Sequence, residues 1–550
     1  MIKKLFTSKI NSITSAAIIV ATASVASRFL GIFRDRILAG EFGAGDTLDI
    51  YYAAFRIPDL VFNLLVLGAL SAGFIPVFTG LCDKKYLVKF FHRGKEKCQS
   101  EAWYVANVMV NLIGISLIVV SAILIIFTPQ LMRLITPGFD GEKLAMTVTM
   151  TRIMFLSPLF LGLSSVMGGI LQSFKRFFVY SIAPIMYNIG IIIGALYFVP
   201  IWGIYGLAYG VVFGALLHFL IQVPTTIHLG YHWRPVLNIK NKNVREILKM
   251  MVPRTMSLAI SQINLVVITI IASTLAAGSL TIFNFANNLQ SFPIGIFGIS
   301  FAIAAFPTLS SLMNKKEELI RNFSKVLRQI IFFILPATVF MLTLRVQIIR
   351  VVLGSGQFDW EDTILTMDTL TFFSLSLFAQ ATIPLLIRMF YAQKDSKTPF
   401  IVGLITVIAN IFLSWWFASR MGVAGLALAF SISMIINFAL LWLLLKIKLG
   451  ELDEVNILYS TLKISLASIC AGLGVQAMKL IVGNSSIIDM TRFWGIFTQS
   501  AIAGIFGLSI FVLICWILHV EELHNFIRSI RAKAKKEKVE TEGHGEARGI

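Results

Sequence analysis

The sequence predicts an all-α polytopic membrane protein with about 14 transmembrane helices, and three observations support this fold class. First, 57% of the residues are hydrophobic and only 14% are charged, with a mean hydropathy of +0.83, whereas soluble domains are nearer a quarter charged. Second, apolar stretches of about 20 residues, the length that crosses a bilayer, recur along the chain. Third, Lys and Arg lie mostly in short segments between these stretches, so the net charge of +19 reflects membrane topology rather than a nucleic-acid partner.

The apolar stretches define fourteen predicted spans. They cover residues 13–33, 48–79, 102–128, 148–174, 179–200, 203–227, 250–276, 280–312, 329–353, 363–390, 398–419, 422–445, 456–480 and 494–519. The first stretch runs directly into a charged motif at Arg28, so we interpret it as a retained first helix rather than a cleaved signal peptide. Prolines within several spans permit kinks around a central cavity.

The distribution of positive charge predicts the orientation of the spans. Basic segments such as KKYLVKFFHRGKEK and RMFYAQKDSKTP follow the even-numbered spans, whereas the odd-numbered connections are short or nearly uncharged. Cytoplasmic loops carry the excess of Lys and Arg in membrane proteins. We therefore predict that both termini lie in the cytoplasm, which requires an even number of spans.

A faint internal repeat predicts how the spans are grouped. The F-x-P of Phe74–Pro76 is echoed roughly six spans later by Phe306 and Pro307, although a chance similarity between two apolar stretches is the alternative. Two six-helix lobes in parallel pseudo-repeat, with the cargo site between them, are a frequent transporter design. The predicted parts are an N-terminal lobe (1–228), a basic cytoplasmic linker (229–249), a C-terminal lobe (250–447), two extra helices (448–520) and a basic, partly disordered cytoplasmic tail (521–550).

The first two spans carry charges where apolar residues are expected. The candidate binding residues here are Arg28, Arg34, Asp35, Asp49 and Arg56. A charge at the centre of a membrane helix costs about 2.5–3.5 kcal/mol on insertion scales, so it persists mainly beside a wet cavity or a partner. Arginine can hold a phosphate through two parallel hydrogen bonds, and the pattern therefore predicts an anionic cargo. The alternatives are that Arg34 and Asp35 only end a helix at the interface, and that Arg28 only forms a packing salt bridge.

The seventh and eighth spans offer a second set of polar candidates. Arg254 follows Pro253, which can bend the helix so that the arginine points inward, and the alternative is that Arg254 snorkels to the nearby surface. Asn287 and Asn288 lie in the next span among other polar residues. Interhelical hydrogen bonding explains any one of them, whereas the cluster favours a wet lumen.

Enzymatic chemistry has no support in the sequence. None of the four cysteines forms a CxxC pair, and the chain has no G-x-S-x-G, H-E-x-x-H or Walker motif. We therefore expect neither catalysis nor a cofactor, and the sequence leaves any metal undetermined. Without an ATP-binding motif, transport would draw on the membrane potential or an ion gradient.

Seven stretches in this order resemble one family. They are SRFLGIFRD, FGAGDTLDIYYAAFRIPDL, GALSAGFIPVF, TPGF, GGILQSFKRF, FPIGIFGISFAIAAFPTLS and RMFYAQKDSKTP. They are similar to the MurJ (MviN) lipid II flippases of the multidrug/oligosaccharidyl-lipid/polysaccharide exporter superfamily. The resemblance implies two lobes around a cationic cavity, a lipid-tail groove formed by the last two spans, and alternating access. It also implies that lipid II is moved to the outer leaflet of the bacterial inner membrane, with membrane lipids and cell-wall synthesis proteins as further partners.

The resemblance also assigns residues and shows departures. Arg28, Arg34, Asp35 and Asp49 match the family's charged positions in the first two helices. Four family positions differ, because Phe62 and Asn63 replace an arginine pair, Leu67 replaces a glutamate and Asn288 replaces an arginine. On this interpretation Arg254 restores a cation. The rival functions are another superfamily exporter, for an O-antigen-type polysaccharide or a drug, and a non-transporting cell-wall scaffold.

Overall fold

The structure is a computed structural model and describes most of the chain. It covers residues 13–67, 73–82, 94–484 and 489–528, except for the side chains of 13–18, 67, 94–99, 252–254, 256–258 and 261. Within these ranges every regular element is helical and no strand occurs. This confirms the predicted all-α class.

The helices follow one another with short connections. The first ten are α1 (Ile13–Phe42), α2 (Asp46–Phe62), α3 (Ile75–Cys82), α4 (Gly94–Ile135), α5 (Gly141–Met154), α6 (Leu156–Ser173), α7 (Phe177–Ile193), α8 (Val199–Trp202), α9 (Tyr205–Leu220) and α10 (Val223–His228). The next ten are α11 (Lys242–Ser273), α12 (Ser279–Pro293), α13 (Ser300–Ser311), α14 (Lys316–Thr343), α15 (Arg345–Val352), α16 (Trp360–Ser374), α17 (Leu377–Ala392), α18 (Lys397–Leu449), α19 (Glu454–Gly483) and α20 (Phe493–Ile517).

Many of these helices are long enough to cross a bilayer. Among the described residues, nine helical segments have the length and apolar composition of a span, or ten if α16 and α17, bent by 45°, form one. Helix α18 has 53 residues and a non-helical kink at Gly422, where φ is +59°. At 1.5 Å per residue it would be about 80 Å long if straight, more than twice the hydrocarbon thickness, so it contains enough helix for two spans. The total of fourteen spans stays a prediction.

Several helices contain π-helical turns, one of which begins at a glycine and another of which follows a proline. π-Helical turns occupy Asn63–Leu67, Gly194–Phe198 and Ile294–Ile299, and the last of these directly follows Pro293. A proline cannot donate the hydrogen bond that continues an α-helix, and π-turns bend the helix locally. The turn after Pro293 agrees with the kinks that the prolines predict, whereas Pro58, Pro184, Pro336 and Pro384 lie inside helices.

The chain divides into two compact units by its internal contacts. Unit 1 contains residues 1–285, 352–362 and 411–426, and unit 2 contains 286–351, 363–410 and 427–550. Unit 1 therefore includes α11 and the first part of α12. The predicted lobe boundaries stay a prediction.

Glycines bring two helices of unit 1 into backbone contact. A Cβ on Gly190 of α7 would lie 2.2 Å from the Cα of Gly214, and a Cβ on Gly194 would lie 2.4 Å from the Cα of Gly210. Gly190 of α7 and Gly194 of the π-helical turn that follows it face Gly210 and Gly214 of α9. Both pairs have the G-x-x-x-G spacing that lets membrane helices approach closely. Any side chain at these positions would push the helices apart.

The segment before α11 lies along α4 and is fixed by two asparagines one turn apart. Asn107 donates to the carbonyl of His232 at 3.0 Å and accepts from the amide of Arg234 at 2.8 Å. Asn111 donates to the carbonyls of Arg234 and Val236 at 2.7 and 2.9 Å. The extended backbone of this segment is thereby satisfied without a strand partner.

The last two helices pack within unit 2 against α14. One apolar cluster joins α14, α19 and α20 and contains Phe332, Ile464, Ala467, Ala471, Phe511 and Cys515. A second, smaller cluster near the other end of these helices contains Leu344, Val475 and Ala503. The residues after 528, which include the predicted disordered segment of the tail, lie outside the described part of the chain.

Candidate functional site

Arg34 is the centre of a polar cluster inside unit 1. Its Nε and Nη2 donate to Oδ1 of Asp35 at 3.0 and 2.7 Å, and its Nη1 donates to Oδ1 of Asn188 on α7 at 3.1 Å. Asn188 in turn donates to the carbonyl of Pro184 at 3.0 Å. Asp35 is buried, and 22% of the Arg34 side chain is exposed. The guanidinium is thus oriented by two helices while part of it stays exposed.

Tyrosines surround this cluster. Tyr51 and Tyr52 of α2 pack edge to face at 5.2 Å, and Tyr51, Tyr52 and Tyr187 are electrostatic neighbours of Arg34. The buried hydroxyl of Tyr52 has no hydrogen-bond partner within the described part of the chain. A buried hydroxyl without a partner costs free energy, so this oxygen is suited to meet water or a polar ligand.

Arg56 forms the second cationic element of unit 1. Its Nε donates to Oγ1 of Thr269 on α11 at 2.8 Å, and its Nη2 donates to Oδ1 of Asn284 on α12 at 3.0 Å. Asp59, one turn further along α2, contributes a nearby negative charge. Neutral side chains from two helices therefore fix the orientation of Arg56, and no carboxylate of the described residues forms a direct ion pair with it.

Asp49 is buried and its carboxylate caps a helix. Its Oδ2 accepts from the amide of Gly278 at 2.8 Å, and its Oδ1 accepts from the amide and the hydroxyl of Thr281 at 2.9 and 2.8 Å. Lys143 lies 3.8 Å from the same carboxylate. These bonds satisfy the amides at the start of α12 and fix the start of that helix to α2.

The remaining sequence candidates lie apart from this cluster or outside the described side chains. Arg28 is exposed on α1, two turns before Arg34. Helix α11 passes through position 254, but the Arg254 side chain lies outside the described residues. In unit 2, Asn287 accepts a hydrogen bond from Gln290 at 3.0 Å, and Asn288 is exposed.

An amide chain leads away from Asn287 within unit 2. The buried Gln290 accepts from Gln380 of α17 at 2.8 Å, and Gln380 also donates to Ser376 at 2.9 Å. The chain joins α12 to α17 through neutral groups. The polar residues that the sequence places in the eighth span therefore include both a packing contact and exposed amides.

The unused hydrogen-bond donors of Arg34 and Arg56 determine which ligands the unit 1 cluster can bind. A guanidinium has five N–H donors. Arg34 uses three of them and Arg56 uses two on partners within the described residues. Both therefore keep at least two donors for an anionic oxygen. The described residues contain no group of three or more His, Cys, Asp or Glu side chains that could hold a metal ion.

Sequence reasoning missed two of the residues that orient these arginines, Asn188 and Thr269. Asn188 is a polar residue within the apolar run IAPIMYNIGIII, and this composition could have marked it. Thr269 carries no such signal, because threonines within membrane helices commonly bond their own backbone. Its contact with Arg56 joins positions more than 200 residues apart, which only the folded chain brings together.

Comparison with known proteins gives these features a context. Residues 38–493 match the family model described as lipid II flippase MurJ. The chain belongs to the MurJ family. The probable lipid II flippase MurJ of Vibrio cholerae is 30% identical over 432 residues, covering 78% of this chain and 82% of that protein. The probable lipid II flippase MurJ of Thermotoga maritima is 27% identical over 505 residues, covering 91% and 96% of the two chains.

Solved structures agree with membership of the MurJ family. A lipid II flippase MurJ in an inward closed conformation aligns with a TM-score of 0.72 and 25% identity, covering 92% of this chain and 99% of its own. A MATE-family multidrug resistance transporter of the MOP superfamily, in an inward-facing conformation, aligns at 0.64 and 14% identity over 80% and 99%. The second similarity shows a shared fold. The predicted membership of the MurJ family is thereby confirmed, and so is the superfamily fold.

Proposed function

We propose that this MurJ-family protein moves lipid II, an undecaprenyl-pyrophosphate-linked peptidoglycan precursor, from the cytoplasmic to the outer leaflet of the bacterial inner membrane. The observation that supports this most directly is the pair Arg34 and Arg56, each oriented by neighbouring helices and each with unused donors. Family membership supplies the substrate class, and the pair supplies a chemical means to bind its diphosphate.

The physical problem of flipping is the headgroup rather than the tail. A diphosphate loses its hydration when it leaves water, and preoriented arginines replace part of that hydration with charge-assisted hydrogen bonds. Arg34 keeps Asp35 as a counter-charge in the empty site, so the cation does not stand unpaired before the substrate arrives. The isoprenoid chain stays in lipid, and we assign it to the surface of α19 and α20.

Further residues complete the proposed site. Arg28 lies two turns before Arg34 on the same helix, and Asp49 fixes the start of α12, from which Asn284 reaches Arg56. We assign Asn287 and Asn288 to the sugar or peptide part of the headgroup, because neutral amides pair with hydroxyls and peptide groups. Arg254 is the proposed cation of the second lobe, in place of the family arginine at position 288.

Complementation of a bacterium depleted of its own lipid II flippase tests the proposal. The wild-type chain is expected to prevent lysis, and Arg34→Ala is expected to fail while remaining inserted and abundant. Arg420→Ala is the matched control, because Arg420 is exposed and stacks on Trp416 at 4.0 Å, away from the cluster. Rescue by Arg34→Ala, or failure of the inserted wild-type chain both in cells and in vesicles loaded with fluorescent lipid II, would contradict the proposed function.

A further inference from the structure

Two cations meet at the break between α14 and α15 in unit 2. Nζ of Lys479, from α19, donates to the carbonyl of Thr343 at 2.8 Å and to Oε1 of Gln476 at 3.3 Å. Arg345 begins α15 two residues after Thr343, and its Nη1 donates to Oγ1 of Thr371 at 2.8 Å. Three helices thus place an ammonium and a guanidinium at one helix end.

The charge of this pair is not balanced by nearby carboxylates. Arg345 and Lys479 are close enough to repel each other, and neither forms an ion pair with a carboxylate of the described residues. The carboxyl end of α14 offers about half a negative charge through its dipole. Two positive charges against half a negative charge leave a clear excess at a partly buried position.

The hydrogen-bond inventory also leaves donors unused. An ammonium has three donors and a guanidinium has five. Lys479 uses two and Arg345 uses one on the described residues, and every acceptor they meet is neutral. Five donors around an excess of positive charge match a ligand with several anionic oxygens, and phosphate has this character.

The surroundings identify the phosphate as that of a lipid. Leu480 and Ile481, which follow Lys479, are 59% and 66% exposed on α19. Trp494 near the start of α20 is 71% exposed and packs against Phe493 and Phe497. Exposed aliphatic side chains next to an aromatic cluster at a helix end are typical of the membrane–water interface, where phospholipid phosphates lie.

We propose that Arg345 and Lys479 form a binding site for the phosphate group of an anionic membrane lipid. The positive-charge distribution places this end of α14 and α19 at the outer leaflet. The site lies wholly within unit 2 and uses none of the residues assigned to the headgroup of lipid II.

Lipid binding to the purified protein tests this site. The probe is phosphatidylglycerol added to detergent-solubilised protein, with phosphatidylcholine as the neutral comparison and bound lipid counted by native mass spectrometry. Lys479→Met and Arg345→Gln are each expected to lower the affinity for phosphatidylglycerol by about tenfold, the value of a hydrogen bond to a charged group. Lys463→Met is the control, since Lys463 lies near the other end of α19 over the ring of Tyr459.

Several outcomes separate this site from its alternatives. Retention of binding by Lys479→Arg supports a charge-dependent contact, and the thermal unfolding midpoint of each variant shows whether it is folded. Equal binding of both lipids, or full binding by Lys479→Met together with Arg345→Gln, would overturn the site. If inorganic phosphate raises the thermal unfolding midpoint of the wild-type protein as much as phosphatidylglycerol does, the assignment to a lipid is overturned. The complementation test of Arg34→Ala does not involve Arg345 or Lys479, so the two proposals fail separately.

Discussion

At the scale of single residues, the two arginines of the candidate site differ in what holds them. Arg34 is paired directly with Asp35, whereas the direct partners of Arg56 are the neutral Thr269 and Asn284, and Asp59 is only a nearby charge. A paired guanidinium carries little net charge toward a ligand, and one bound by neutral groups keeps most of it. Arg34 therefore contributes mainly geometry in the proposed site, and Arg56 contributes more of the charge.

Replacement of Arg56 tests this difference. Arg56→Ala is expected to slow lipid II flipping in proteoliposomes at least about tenfold, because hydrogen bonds to charged groups are worth about 1.5–3 kcal/mol. Arg56→Lys keeps the charge but cannot reach both Thr269 and Asn284 in the same fork geometry, so an intermediate rate is expected. Arg420→Ala serves as the control. A normal initial rate for Arg56→Ala would remove this residue from the site.

Asp395 provides a residue-scale prediction about stability. Its carboxylate accepts from Nζ of Lys448 at 2.8 Å and from the amide and hydroxyl of Thr398 at 3.1 and 2.9 Å, and so caps α18. Lys448 is the main cause that lowers the pKa of Asp395 to about 2. Since the pKa is about 3.9 in unfolded chains, the ionised group adds stability above about pH 4, and this stability is lost as the pH falls toward 2.

The measurement is thermal unfolding of wild-type protein and Asp395→Asn in detergent. The variant is expected to unfold at a lower temperature at pH 7, with a loss of about 1 kcal/mol as for other helix caps, and the difference is expected to shrink at pH 3. Asp140→Asn is the control, because Asp140 precedes α5 without a side-chain cap bond. A difference that grows toward pH 3 would contradict the assigned sign.

At the scale of helices, the sequence predicts elements better than it predicts their contacts. Apolar length and loop charge are local properties, and the predicted spans 456–480 and 494–519 lie within about three residues of the ends of α19 and α20. Helix α14 begins and ends ten or more residues before its predicted span, 329–353. The charges of the first two spans marked Arg34 and Arg56 as candidate site residues in the same local way. The hydrogen bonds to Asn188, Thr269 and Asn284 depend on which helices pack together. A single sequence, considered alone, does not contain that information.

The contact between α7 and α9 gives a prediction at this scale. Gly190→Ala is expected to lower the unfolding temperature, because its new methyl group would lie 2.2 Å from the Cα of Gly214. Gly403→Ala in α18 is the matched control, since a Cβ there meets nothing within 4 Å. A helix interior gains roughly 0.5–1 kcal/mol from Gly→Ala when space permits, so this control is expected to be neutral or stabilising. Equal effects of the two variants would show that α7 and α9 do not rely on backbone contact.

At the scale of the whole molecule, the compact units are not continuous in sequence. Residues 352–362 and 411–426 belong to unit 1, although the sequence on either side of each belongs to unit 2. The backbone amide of Gln357 donates to the carbonyl of Gly40 at 2.8 Å, and the Asp362 carboxylate accepts from the backbone amide of Ala44 at 2.9 Å. The predicted lobes are continuous stretches of sequence, because they rest on hydropathy and a weak repeat. Neither property reports contacts between loops that are far apart in the sequence.

Orientation in the membrane is the whole-molecule property on which the direction of transport depends. The positive-charge rule predicts that the basic connections face the cytoplasm and that nearly uncharged ones face outward. In a background that lacks the four native cysteines, Lys316→Cys and Lys394→Cys are expected to resist a membrane-impermeant thiol reagent in intact cells and to react after permeabilisation. Both positions are exposed, so protection would reflect the membrane rather than burial.

Asp140→Cys and Arg420→Cys, exposed in the predicted outer connections, are expected to react in intact cells and control for reagent access. Reaction of the Lys316 and Lys394 variants from outside would reverse the topology, and with it the proposed direction of lipid II movement and the leaflet of the Arg345–Lys479 site.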